Sequence, residues 1–137
     1  MKRFLICDND NDLLELLEIY LKSKGFDFIM VSEGRKVLET LKNNDIRLLF
    51  LDLNLPDMHG TKIIEQIRND TETKDTKIVL LTASIRAREN QERMQVDGFV
   101  EKPFDLKDLE RIINENLMVG WIGCLTMAEY FLSSGLA

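Results

Sequence analysis

Three short runs in this chain are apolar at nearly every position: "RFLIC" at 3–7, "IRLLFL" at 46–51 and "KIVLLT" at 77–82. A run this short with no polar face has no side to turn to water. It fits a strand buried on both faces, which is the situation of a parallel sheet sandwiched between helices. Two weaker segments complete the set, the alternating "FDFIMV" at 26–31 and the short "GFVEK" at 98–102. Helical spacing fills the intervals. Leu13, Leu14, Leu16, Leu17, Tyr20 and Leu21 mark a first helix that Gly25 stops, Val37, Leu38 and Leu41 a second, and Ile63, Ile64 and Ile67 a third. A polar, weakly patterned helix is expected near 86–95. Asp105 then reads as the N-cap of a last helix carrying Leu106, Leu109, Ile112, Ile113 and Leu117. Five βα units predict a single α/β domain with a doubly wound, five-stranded parallel sheet. Right-handed crossovers, with the most apolar strands in the middle, favour the flavodoxin-like order 2-1-3-4-5.

With 137 residues the chain is long enough for one such domain and too short for two. Its formal charge of −6 argues against a basic face for direct nucleic-acid binding. Cys7 and Cys124 match no metal-ligand spacing and frame no disulfide, and the apolar stretch in "MKRFLICD" is too short for a signal peptide. A reducing cytoplasm is the expected compartment.

Sheets of this kind carry their chemistry at the carboxyl ends of the strands. After the first strand come Asp8, Asn9 and Asp10, and after the third comes Asp52 in "LDLNLPDMHG". Thr82, Ala83 and Ser84 follow the fourth, and Lys102 and Pro103 the fifth. Acids, a hydroxyl and a lysine on one edge suit a divalent cation together with a phosphoryl or carboxyl group. A calcium loop built on Asp8, Asp10 and Asp12 fails, because its required glycine and glutamate positions hold Leu13 and Ile19. Taken singly, each residue also has an ordinary structural explanation. Asp8 and Asp10 suit a helix N-terminus, Pro56, Asp57 and Gly60 suit turns, Lys102 a solvated surface and Phe99 a core. Those explanations give no reason for the residues to fall on one edge.

Four separated segments resemble the receiver domain of two-component response regulators over roughly residues 3–117: the acidic cluster at 8–10, "LDLNLPDMHG", "LLTAS" at 80–84 and "FVEKPF" at 99–104. The resemblance implies that Asp52 is the phosphoacceptor, taking a phosphoryl group from a histidine kinase or a histidine phosphotransfer protein. It implies that Asp8, the residue at position 9, Asp52 and the backbone carbonyl of Asn54 hold Mg²⁺. Thr82 and Lys102 would contact the phosphoryl oxygens, and Phe99 would be an aromatic switch coupled to Thr82. The Lys102–Pro103 peptide bond is expected to be cis, and the side chains of Asn54 and Ser84 to tune hydrolysis. A downstream protein would dock on the face of the fourth helix and fifth strand. Such a protein is a switch and not an enzyme, beyond catalysing its own aspartyl phosphorylation and dephosphorylation.

Position 9 departs from that pattern, holding an amide where the family has an acid. An amide oxygen still ligates Mg²⁺. The missing unit charge is worth about 4 kcal/mol at 4 Å and an effective dielectric near 20, part of it offset by desolvation no longer incurred. Mg²⁺ affinity is expected to fall by roughly one or two powers of ten. Two alternatives stay open: a pseudo-receiver that signals by binding alone, and a small D-x-D phosphatase resembling the haloacid-dehalogenase type, with Asp8 as nucleophile and Asp10 as general acid. Residues 118–137 form a tail outside the receiver pattern and a poor membrane span. They read as a linker, a truncated output segment or an appended segment, and leave a homodimer open.

Overall fold

The computed structural model describes residues 3–82 and 95–117. Five strands, β1 (Arg3–Cys7), β2 (Phe28–Val31), β3 (Ile46–Asp52), β4 (Lys77–Thr82) and β5 (Gly98–Glu101), form one sheet. All pairings are parallel and the order is β2-β1-β3-β4-β5, as expected. Among the described residues four helices accompany it: α1 (Asn11–Ser23), α2 (Val37–Asn43), α3 (Gly60–Asn69) and α4 (Leu106–Leu117).

The apolar runs have no polar face because each strand feeds two cores. Leu5, Cys7, Leu49, Leu51, Ile78 and Leu80 pack on one side with Val37 and Leu41 of α2 and Ile63, Ile64 and Ile67 of α3. Phe4, Ile6, Leu48, Phe50, Val79 and Leu81 pack on the other with Leu17 and Leu21 of α1 and Leu109 and Ile113 of α4. Successive residues alternate between the two sides, as the strand period of two requires. Burial of one such side chain stabilises by roughly 1.5–3 kcal/mol, so the central strands dominate the packing. Phe4 stacks on Phe28 at 5.6 Å between ring centres and meets Phe50 edge-on at 5.9 Å, tying β1 to both its neighbours.

β3 runs one residue further than expected, to Asp52, and β5 stops one residue earlier, at Glu101; two other differences are larger. β2 starts at Phe28, not 26, because the Phe26 amide is used to close α1, donating to the Leu21 carbonyl at 3.2 Å. Gly25, with φ at +78°, makes that reversal. α2 is preceded by a 3-10 turn over Gly34–Lys36 that the periodicity does not reveal. Asp105 caps α4 as expected, its carboxylate accepting from the Lys107 amide at 2.9 Å. The helix expected over 86–95 and Ser84 lie outside the described residues, except Gln95, which sits in a turn with φ at +58°. The tail at 118–137 lies outside them as well. No helix among the described residues is long and apolar enough to cross a membrane.

The amino-terminal edge of β4 and β5 is held by Arg68, at the end of α3. Its guanidinium, mostly buried, donates to the carbonyls of Gln95 (2.9 Å), Lys74 (2.7 Å) and Thr76 (2.6 Å) and to the Asp97 carboxylate at 3.2 Å. Asp97 in turn accepts from the Ile78 amide and donates its own amide to the Ile78 carbonyl.

At the opposite edge, the chain leaving β3 closes on itself through the Gly60 amide, which donates to the Leu53 carbonyl at 3.0 Å. A Cβ at Gly60 would lie 2.8 Å from the Leu53 Cα, whereas at Gly34 the tightest clash, 2.6 Å, is with the mobile tip of Ile63. Gly60→Ala is therefore expected to destabilise by about 1–3 kcal/mol, more than the ~1 kcal/mol alanine gains in a helix and more than Gly34→Ala. Urea denaturation checks the ranking, and an equal or smaller loss for Gly60→Ala would refute the backbone clash.

Candidate functional site

The parallel sheet brings the ends of β1, β3, β4 and β5 to one edge, and with them Asp8, Asp52, Thr82 and Lys102. Asp52 ends β3 opposite Leu81, one residue before Thr82. Thr82 is paired with Glu101, and its carbonyl accepts from the Lys102 amide at 2.9 Å. Asp8 follows β1 directly and donates its amide to the Val31 carbonyl at 3.2 Å. Asp8, Asp52 and Thr82 are all buried, at 0%, 6% and 1% relative exposure.

Each carboxylate is held by a backbone amide and faces the same lysine. Asp8 accepts from the Asp10 amide through Oδ1 at 3.0 Å and from the Lys102 ammonium through Oδ2 at 2.6 Å. Asp52 accepts from the Asn54 amide through Oδ1 at 3.1 Å, and its Oδ2 lies 3.6 Å from the same ammonium. One lysine thus bridges two buried acids. Burial pushes the Asp8 carboxyl above its ordinary value, with the Asp52 charge adding to it, while the Lys102 ammonium and the Asp10 amide pull the other way. Cys7, buried beneath the acids, is free. Its thiol is pushed up to about 12, first by burial and then by the charges of Asp57, Asp8 and Asp52, so it is a protonated core residue.

The other predicted residues fall as follows. Asn9 is exposed at the rim, next to Asp8. Asp10 is outside the pocket chemistry: its carboxylate caps α1, accepting from the Leu13 amide at 3.1 Å. Asn54 is exposed and bridges to His59, whose ring Nδ1 accepts from the Thr61 amide at the start of α3. Phe99 is half-buried on β5 opposite Leu80, packed against the α2–α3 core. The Lys102–Pro103 bond is cis, as expected.

For a hard dication, the two buried carboxylates of Asp8 and Asp52 are oxygen donors of suitable chemistry. Among the described residues no three His, Cys, Asp or Glu side chains group as a metal cluster.

One residue was missed by local sequence reasoning. Asp57 is more than a turn residue, because its carboxylate accepts from the Gly34 and Arg35 amides, both at 3.0 Å. Those amides, Arg35 first, hold its carboxyl below the usual range. Asp57 thereby ties the loop after Asp52 to the turn preceding α2. No spacing in the sequence signals a cap that reaches back 23 residues to Gly34.

The fold and this edge have known counterparts. A family model described as the response regulator receiver domain matches residues 4–114. The DNA-binding response regulator MtrA of Mycolicibacterium smegmatis is 33% identical over 110 residues, 79% of this chain and 47% of that protein. The chain spans about half the length of the curated relatives it matches. Among solved structures, a sensor protein from Polaromonas sp. JS666 is 34% identical, with a TM-score of 0.75 over 84% of this chain and 94% of that one. The response regulator TrrA of Thermotoga maritima, solved in complex with Mg²⁺–BeF, is 29% identical, with a TM-score of 0.73 over 84% of this chain and 98% of that one. Together with the sheet order and the strand-end residues, these place the chain in the family of response regulator receiver domains of two-component systems.

Proposed function

We propose that this receiver domain is a phosphoacceptor switch modified on Asp52 by a histidine kinase or phosphotransfer protein. The observation that carries the reading is the Asp52 carboxylate itself: buried at the end of β3, with one oxygen turned toward the Lys102 ammonium at 3.6 Å. In the proposed step a carboxylate oxygen of Asp52 attacks the phosphorus of a phosphohistidine. The P–N bond breaks, the imidazole leaves with a proton, and an acyl phosphate remains. Water later cleaves the new P–O bond, returning the carboxylate and inorganic phosphate. Lys102 and Thr82 would bind the phosphoryl oxygens. Mg²⁺, held by Asp8, Asp52, the Asn9 amide oxygen and the Asn54 carbonyl, would neutralise charge on the phosphoryl group. The Mg²⁺–BeF complex of TrrA supports that assignment by analogy.

Phosphorylation would bias a two-state equilibrium through Thr82 and Phe99 and change affinity for a protein partner at the face of β5 and the 86–95 segment. The receiver unit would comprise residues 1–117, with 118–137 as a separate tail, working in a reducing cytoplasm. The D-x-D phosphatase reading is weakened by Asp10, whose carboxylate accepts from the Leu13 amide of α1.

Intact mass after incubation with acetyl phosphate tests the proposal. A single phosphoryl gain is expected that requires Mg²⁺ and disappears in Asp52→Asn. A gain surviving that substitution would sink the nucleophile assignment. No gain at saturating Mg²⁺ would favour the pseudo-receiver.

Two further expectations concern stability. Burial is the largest influence on Asp8 and disfavours its charged form, and Asp52 remains beside Lys102 when Asp8 is neutralised. Asp8→Asn is expected to raise the thermal midpoint at pH 7 without divalent cation; a lower midpoint would mean that pairing with Lys102 outweighs burial. Asp57 has the opposite sign. Its carboxyl is held below the ordinary 3.8, so its contribution is present above that value and lost as pH falls through the lowered folded value. Asp57→Ala should lower the midpoint at pH 7, with the difference from wild type closing as the pH falls below the ordinary 3.8. A gap undiminished in acid would place the effect elsewhere.

A further inference from the structure

β5 ends the sheet, and between it and α4 lies a groove of about 450 Å³. Phe99, Phe104 and Ile112 line it together with the charged Glu101, Asp108 and Arg111. Edge strands in folded proteins are ordinarily covered or blunted. α4 ends at Leu117, and twenty residues of sequence follow it, 118–137, with one charge, Glu129. Within them Trp121, Leu125, Ala128 and Leu132 recur at helical spacing, while Thr126, Glu129 and Ser133 make a separate polar stripe. Gly120, directly before Trp121, suits a tight reversal of the chain.

We propose that residues 121–132 turn back as a helix antiparallel to α4 and lay their apolar stripe in this groove, covering the outer side of β5 from within the same chain. A connection of three residues, 118–120, is of the length that joins antiparallel helical neighbours. Both helices rise about 1.5 Å per residue, so with Trp121 opposite Leu117, Leu125 comes opposite Ile113 and Glu129 opposite Leu109. Glu129 then stands midway between the levels of Lys107 and Arg111, both exposed and one turn apart. On the other flank of α4 the same level carries Glu110, bonded to Tyr20 of α1, which would repel it. That asymmetry selects the β5 side over the exposed Leu16 and Ile19 of α1. A protein that binds this face of β5 must first displace the tail. The packing itself does not depend on whether Asp52 accepts a phosphoryl group.

Trp121 is the chain's one tryptophan, so its fluorescence reports the tail alone. The full chain is expected to sediment as a monomer. Its emission should lie at shorter wavelength, and be quenched less by acrylamide, than that of Leu125→Asp, which puts a charge on the apolar stripe. Lys107→Glu combined with Arg111→Glu should raise the quenching, each exposed pair shifting the docked population by about fivefold at most. Glu129→Arg in that background should restore the shielding. Leu16→Asp, on α1, should change nothing. Trp121 quenched as freely as N-acetyltryptophanamide in the wild-type chain would overturn the proposal. Shielding that depends on protein concentration would make a second copy the occupant, and shielding lost in Leu16→Asp would move the tail to α1. Shielding that appears only with vesicles of neutral phospholipid would assign the tail to a membrane. Each of these outcomes overturns the groove as its seat. Should Leu125→Asp not fold, the charge reversal at Lys107 and Arg111 and its rescue decide.

Discussion

Parallel pairing is the constraint from which the site follows. Strands that run the same way must be joined by crossovers, and every carboxyl end then falls on one edge of the sheet. β1, β3 and β4 carry that arrangement because their side chains are buried on both faces and their register is fixed by two cores at once. Slipping any of them by one residue would exchange the side chains of both cores. Asp8, Asp52 and Thr82 are consequently located by packing that has nothing to do with their own chemistry.

That packing brings polar groups to a place where they are costly. Two carboxylates and an ammonium sit at the border of the core, where desolvation opposes charge. The cost is moderated by sharing: backbone amides satisfy one oxygen of each acid, and one lysine serves both of the others. Asn9, exposed and neutral, adds no further charge beside them.

How much of this was legible depended on the range of the interaction concerned. β1 and β4 were readable to the residue, because a doubly buried strand has an unbroken apolar signature. The first two residues expected for β2 were not, since Phe26 serves the end of α1 through its backbone, which composition does not record. The edge that holds Asp8, Asp52, Thr82 and Lys102 was legible from strand order alone. The identity of the carboxylate closest to Lys102 was not, because it depends on a side-chain contact across 94 residues. Asp57 was hidden for the same reason: its partners are amides on another loop, and an exposed acid after a proline looks like an ordinary turn.

The two edges of the sheet are built to different ends. On one, Arg68 satisfies three main-chain carbonyls and an acid that is itself locked to Ile78. Sliding β5 along β4 would break that fan of bonds together, so the pair is staked at its base like a ruler clamped to a bench. On the other edge the corresponding bonds come from groups with an alternative partner. A disturbance there therefore has nowhere to travel along the strands. The register of β4 and β5 is thus fixed from the end of the sheet that carries none of Asp8, Asp52, Thr82 and Lys102.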